Sequence, residues 1–158
     1  MNRKGFTLIE LMVVVSIVAF LAVVSVPSFM KFLAKAKRVE AYANLSSMYT
    51  AQKAHWAEHG AYSDSLSGPG SVGWKPEGYS GGGKGEHFHY TYGFPGAEGK
   101  NNFTGKLQTP VCHLGCAKVS KNNFVAVATG DIMGNGKPDI ITINENNEVA
   151  IVQDALTQ

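Results

Sequence analysis

The stretch "GFTLIELMVVVSIVAFLAVVSVP" occupies positions 5–27 and decides how the rest of the chain is read. Glu10 is its one charged residue, and after it no charge follows until Lys31. A run of about 20 apolar residues is enough for a helix to cross the hydrocarbon core of a bilayer. A carboxylate at the bilayer centre costs about 2.5 to 3.5 kcal/mol on insertion scales, so Glu10 needs a reason to be there. Met1, Asn2, Arg3, Lys4 and Gly5 precede the run as a short basic patch. Basic residues ahead of an apolar core favour a cytoplasmic start, which places everything after Lys31 on the far side of the membrane. A secretory signal would carry a small-residue cleavage site after its core, and none is found there. The small residue at a junction in front of the core is Gly5.

Lys4-Gly5-Phe6-Thr7-Leu8-Ile9-Glu10 resembles the processing motif of type IV prepilins, with a basic leader, Gly before the cut, Phe after it and Glu shortly downstream. The resemblance implies that a prepilin peptidase cuts between Gly5 and Phe6 on the cytoplasmic side and methylates the new Phe6 amine. It also implies a homo-oligomeric helical filament, built by inner-membrane assembly machinery, with the apolar helices packed in its core. In that family Glu10 would pair with the Phe6 α-amine of a neighbouring copy, and a buried charge becomes tolerable when paired. Leu11, Val14 and Phe20 would supply lateral packing, and Pro27 would loosen or kink the helix by removing one backbone bond. An ordinary membrane anchor with a stray Glu is the plainer alternative. The family includes extracellular pili for adhesion and twitching motility as well as the pseudopili of type II secretion, which the motif does not separate.

The full chain has 158 residues and a formal net charge of +2, room for one long helix and one modest domain. Loss of Arg3 and Lys4 with a leader would leave the remaining basic residues matched to the 12 acids. Such a balance offers no basic stripe and argues against nucleic acid as the main partner. Cys112 and Cys116 would lie outside the cytoplasm, where disulfides persist. Being four residues apart, they bridge only if the chain from Val111 to Ala117 turns back on itself, with Gly115 as the residue that permits it. Free thiols or a metal site are the alternatives.

Beyond Pro27 the helical pattern continues. Tyr42, Leu45, Tyr49, Gln52 and Trp56 recur at spacings of three and four, Ala41 and Met48 widen the stripe, and Gly60 follows as a C-cap. One helix from Phe6 to His59 is therefore expected, apolar all round at first and amphipathic later. Positions 61 to 85 are rich in Gly, Ser and Pro and read as a loop. The runs "HFHYTY", "FVAVAT", "DIITIN" and "EVAIV" read as strands. Asn135-Gly136 and Asn146-Asn147 are placed as turns of an antiparallel meander whose apolar face covers Tyr42 to Trp56. The expected fold is α+β, pilin-like, a long N-terminal helix whose C-terminal half packs on a small antiparallel sheet. Its division is a leader at 1–5, a transmembrane or filament-core helix at 6–34, an amphipathic half at 35–60 and a β-rich head at 61–158.

Four further patterns carry chemical possibilities. His55-Trp56-Ala57-Glu58-His59 matches a zinc-protease spacing, but at a helix end in a small chain it reads as a solvated terminus. Gly78 to Gly85 nearly spells a phosphate-binding loop, yet lacks the Ser or Thr after Lys84 and reads as a surface loop. His87 and His89 would share one face of a strand and could share a metal, against the plainer reading of a polar sheet face. Asp131, Asn135 and Asp139 resemble a calcium loop, although Met133 stands where a ligand is expected; a plain Asn-Gly hairpin is the alternative. No cofactor other than calcium is suggested, and no enzyme.

The sequence therefore points to a non-enzymatic pilus subunit, held in the inner membrane as a single-pass prepilin with a periplasmic head, in contact with membrane lipid until it assembles. A pseudopilin and a membrane-anchored periplasmic binding module are the rivals.

Overall fold

The computed structural model describes residues 5–157, so Met1 to Lys4 of the expected leader lie outside the described residues. A single α-helix, α1 (Leu8–His59), is followed by six short strands and one 3-10 helix, Val111–Cys116. Gly60, at φ +69°, ends α1, its N–H donating to the Trp56 carbonyl at 2.8 Å. This is the left-handed cap that glycine adopts without steric cost. Pro27 is accommodated inside the helix.

By compactness the chain divides in two, one unit running to Leu33 and the other starting at Ala34. In the first unit α1 is apolar on all sides, and every described side chain is exposed. Ser16 donates to the Met12 carbonyl at 2.8 Å, which satisfies its hydroxyl within the helix.

The second unit is an antiparallel sheet with helix residues buried against its core. Its strands are β1 (Thr91–Gly93), β2 (Asn102–Phe103), β3 (Lys118–Val119), β4 (Phe124–Gly130), β5 (Asp139–Asn144) and β6 (Val149–Gln153). Their order is β2-β1-β4-β5-β6, and β3 pairs with β4 beside β1. In register, Ala126 lies opposite Ile143, Ala128 opposite Ile141 and Tyr92 opposite Ala128. Those side chains form the core with Leu45, Met48, Phe103 and Phe124.

The α+β reading and the β4-β5-β6 meander agree with this architecture, but three details differ. The buried face of α1 is Ala34, Arg38, Ala41, Leu45, Met48, Gln52 and His55; Ala41, Leu45, Met48 and Gln52 lie on the expected stripe, but its aromatics are not fully buried. Trp56 is 43% exposed, and Tyr42 and Tyr49 are half-buried. Small Ala34 and Ala41 allow close packing, while the large aromatics sit at its margin. Second, residues 87–90 do not form a strand, because the His89 N–H is taken by the Glu40 carboxylate at 2.8 Å rather than by a ladder. Third, positions 131–138 are a loop of their own rather than a tight Asn-Gly turn. The loop at 61–85 has no helix or strand, as expected, yet it buries Tyr62, Leu66 and Trp74. The Trp74 indole donates to the Ser47 hydroxyl at 2.9 Å.

Candidate functional site

The predicted assembly residues all belong to the first unit. Thr7 caps α1, its hydroxyl accepting the Glu10 N–H at 3.2 Å and its carbonyl the Leu11 N–H at 3.3 Å. Thr-x-x-Glu ahead of an apolar run is the sequence signature of such a cap, a signal the motif reading passed over. Glu10 thus sits in the first turn, where the exposed N–H groups of the helix favour negative charge. Around it Phe6 is 79% exposed and Phe20 71%, with Leu11 and Val14 also open. Ile9, Met12, Val13, Ser16 and Ile17 line a shallow groove of about 460 Å³ along the same segment. Each exposed apolar Å² in water costs roughly 25 cal/mol, and none of these residues is covered within the chain. The segment is long and apolar enough to cross a membrane.

In the second unit the polar groups are mostly spoken for. Arg38 grips Asp139 with two bonds, Nε to Oδ2 at 2.9 Å and Nη2 to Oδ1 at 2.6 Å, and reaches Asp154 at 2.5 Å. Tyr90 donates to the same Asp139 carboxylate at 2.9 Å, and Ala155 N–H at 3.1 Å. Asp139 is fully buried. Burial would lower the Arg38 pKa, but its hydrogen bonds to Asp154 and Asp139 outweigh that and raise it. Asp154 is held below its ordinary value by Arg38 and by the Leu156 N–H. Burial, then the neighbouring Asp139 charge, pushes the Tyr90 phenol up. A cluster this tightly paired is structural, with no free group to act on a substrate.

The calcium reading fails on this geometry. Asp139 turns into the core to meet Arg38, while the Asp131 carboxylate accepts the N–H groups of Gly134, Asn135 and Gly136 at 2.8, 3.2 and 2.8 Å. Asn135 in turn accepts the Lys137 N–H at 3.0 Å. These oxygens organise the loop instead of converging on a cation, and no cluster of three or more metal-binding side chains occurs among the described residues.

Cys112 and Cys116 are free thiols, both exposed. The expected turn-back at Gly115 does not form, because the segment is a 3-10 helix. At about 2 Å rise per residue, positions four apart stand about 8 Å apart along the axis, beyond disulfide range. The helix is anchored through Leu114, which is fully buried.

The glycine-rich loop binds its own carboxylate. Glu86, buried, accepts from Ser80 N–H at 2.9 Å, Ser80 hydroxyl at 2.8 Å and Gly82 N–H at 2.8 Å. Burial raises the pKa of a carboxylate, yet the donors from Ser80 and Gly82 overcome it and hold Glu86 below its ordinary value. The N–H groups of Ser80, Gly82 and Gly83, in the middle of the loop, are occupied, the last by the Thr104 carbonyl at 3.0 Å.

His89 Nδ1 lies 2.6 Å from Glu40, whose carboxylate also accepts from the Tyr92 hydroxyl at 3.0 Å. His87 is exposed and lines a cleft of about 490 Å³ with Glu40, Asn44, Glu77 and Phe88, so the two histidines do not share a strand face. His55 places Nδ1 at 2.9 Å from the Ala61 carbonyl and stacks on His59, their centroids 4.3 Å apart. These contacts fasten the helix end to the following loop.

Comparison with known proteins agrees with the N-terminal motif. Residues 1–26 match the family model described as the prokaryotic N-terminal methylation motif. Over 123 residues the chain is 37% identical to the type IV major pilin protein PilA of Myxococcus xanthus, covering 78% of this chain and 51% of that relative. The chain is similar to type IV pilins. It is also 35% identical over 68 residues to the type IV major pilin protein PilE1 of Neisseria gonorrhoeae, covering 43% of this chain and 41% of the relative. A fimbrial protein of Pseudomonas aeruginosa is 41% identical over 49 residues, 31% and 32% of the two chains. The chain spans about half the length of the curated relatives it matches, or less.

Proposed function

We propose that this chain is the structural subunit of an extracellular type IV pilus, polymerising through its N-terminal helix. The observation that carries the reading is the segment from Phe6 to Leu33, almost wholly apolar and buried nowhere, in a chain similar to one major pilin over most of its length. Such a surface calls for lipid before assembly and for identical helices after it. A prepilin peptidase would cut between Gly5 and Phe6 in the inner membrane, leaving the head on the periplasmic side. Residues 6–34 would then form the filament core and 35–60 the support of the head at 61–158. Within the fibre Glu10 of one copy pairs with the methylated Phe6 amine of the next. Leu11, Val14 and Phe20 fill lateral contacts, and Pro27 lets the helix adjust between lipid and fibre. The names of the relatives favour a pilus over a secretion pseudopilus, and the Arg38-Asp139-Asp154-Tyr90 cluster, closed on itself, gives a binding module little support.

Intact-mass and N-terminal peptide analysis of membrane and sheared extracellular fractions tests this. The expected result is a chain starting at methylated Phe6 in the sheared material. Processed chains confined to the envelope would transfer the assignment to a pseudopilus, and an uncut leader in both fractions would sink it.

A further inference from the structure

Beyond Leu33, the large apolar side chains that stay exposed among the described residues are Val39, Trp56, Val149, Ile151 and Val152. Three of them lie on β6. That strand pairs with β5 alone, so one row of its N–H and C=O groups faces outward at the end of the sheet. Natural sheets guard such an edge with charge, proline or brevity, and Val-Ala-Ile-Val-Gln carries neither charge nor proline over five residues. Just ahead of it stand Glu145, half-buried, with one oxygen accepting the Phe124 N–H at 3.4 Å, and Glu148, exposed, with one oxygen accepting from the Asn144 amide at 2.7 Å, which leaves each carboxylate its other oxygen.

The opposite edge, at the same end of the sheet, is β3. It pairs with β4 at Phe124 and Val125, where β5 occupies the other side. Lys118 and Lys121 are exposed there. Because β6 is antiparallel to β5 and β5 to β4, β6 runs parallel to β4, whereas β3 runs against it. A second copy set beside the first in the same orientation therefore offers its β3 antiparallel to β6, basic side chains level with acidic ones.

We propose that the β6 edge of one copy docks on the β3 edge of a second, with Glu145 and Glu148 facing Lys118 and Lys121, a contact that rests on the fibre reading above. Three apolar side chains fall far short of the roughly 800 Å² per partner that a free-standing interface buries. The patch therefore suits copies already gathered by their apolar helices, where tethering raises the effective concentration to about millimolar. Joining two different edges is a heterologous contact, which propagates along a helical array instead of closing into a dimer.

Charge reversal on the full chain tests it, read as fibre recovered by shearing against subunit in the membrane. Glu145→Lys with Glu148→Lys should cut the sheared yield about tenfold by setting like charges together, and adding Lys118→Glu with Lys121→Glu should restore it to within about threefold of the parent. Val152→Asp, at a position already open to water, should lower the yield with no change in the thermal unfolding of the subunit. Normal yield from the first variant, or a further loss in place of rescue from the combined one, overturns the edge contact while leaving the fibre reading intact. Absence of the unaltered chain from sheared fibres overturns both.

Discussion

Between Leu8 and Leu33 the helix buries none of its side chains, whereas from Ala34 to His55 it buries one every three or four residues. The backbone element is continuous, so what changes is the solvent each part is written for. The first part has no polar face to turn toward water and no sheet to cover it. The second has small residues where the sheet comes close and polar residues only where a partner waits. A segment with everything exposed depends on neighbours outside the chain; one with a satisfied buried stripe depends on the chain itself. Substitutions in the two should therefore fail in different assays, assembly for the first and folding for the second.

The largest folding effect is expected at Arg38. Arg38→Ala leaves Asp139 buried without its cation, a kind of loss that typically costs about 3 to 5 kcal/mol, and should lower the unfolding midpoint of the detergent-solubilised chain steeply. Leu45→Ala, in the middle of the buried stripe, should cost about 2 to 5 kcal/mol, while Leu11→Ala in the exposed part should leave the midpoint unmoved. A matching loss at Leu11 would erase the contrast between the two regions.

Asp131→Ala removes the acceptor for three backbone N–H groups and should cost about 1 to 3 kcal/mol. Adding calcium or a chelator should leave the midpoint of the parent chain where it was; a calcium-dependent rise would revive the cation site. The acid response should be smaller at first and set by the carboxylates. Asp154 and Glu86 both have depressed values in the fold, so their stabilising effect is fully present above the ordinary carboxylate range. It is lost as pH falls through the depressed values. Stability should be flat from neutrality to about pH 5 and drop below about pH 4, and Glu86→Gln together with Asp154→Asn should flatten that drop.

The long helix was legible because an unbroken apolar run followed by a periodic one admits little else. Its buried face was legible in part: Ala41, Leu45, Met48 and Gln52 belong to it, whereas the aromatics Tyr42, Tyr49 and Trp56 stand at its margin. Arg38 and His55 look like surface residues until their partners, Asp139 and the Ala61 carbonyl, are seen. Their spacing of three and four from that stripe was the available signal. Strands β4, β5 and β6 were readable from alternation and β-branching, but β2 and β3 are two residues each and carry no period at all. The calcium alternative does not form, and the near-phosphate pattern is the surface loop it was expected to be, for a common reason. A string of residue types does not say whether its donors and acceptors answer one another, and in both loops they do. At the first turn, the motif pointed to Glu10 while Thr7-x-x-Glu10 also encoded the cap that holds it.

Glu10→Gln addresses the central claim most directly. Glutamine keeps the size of the side chain and suits the same position of a capping box, but it cannot pair as an anion with a neighbour's ammonium. Membrane levels and the unfolding midpoint should stay unchanged while sheared fibre falls about tenfold or more, in line with removal of one partner from a buried charge pair. Fibres at the parental yield would contradict the pairing and leave Glu10 as no more than a helix-start residue.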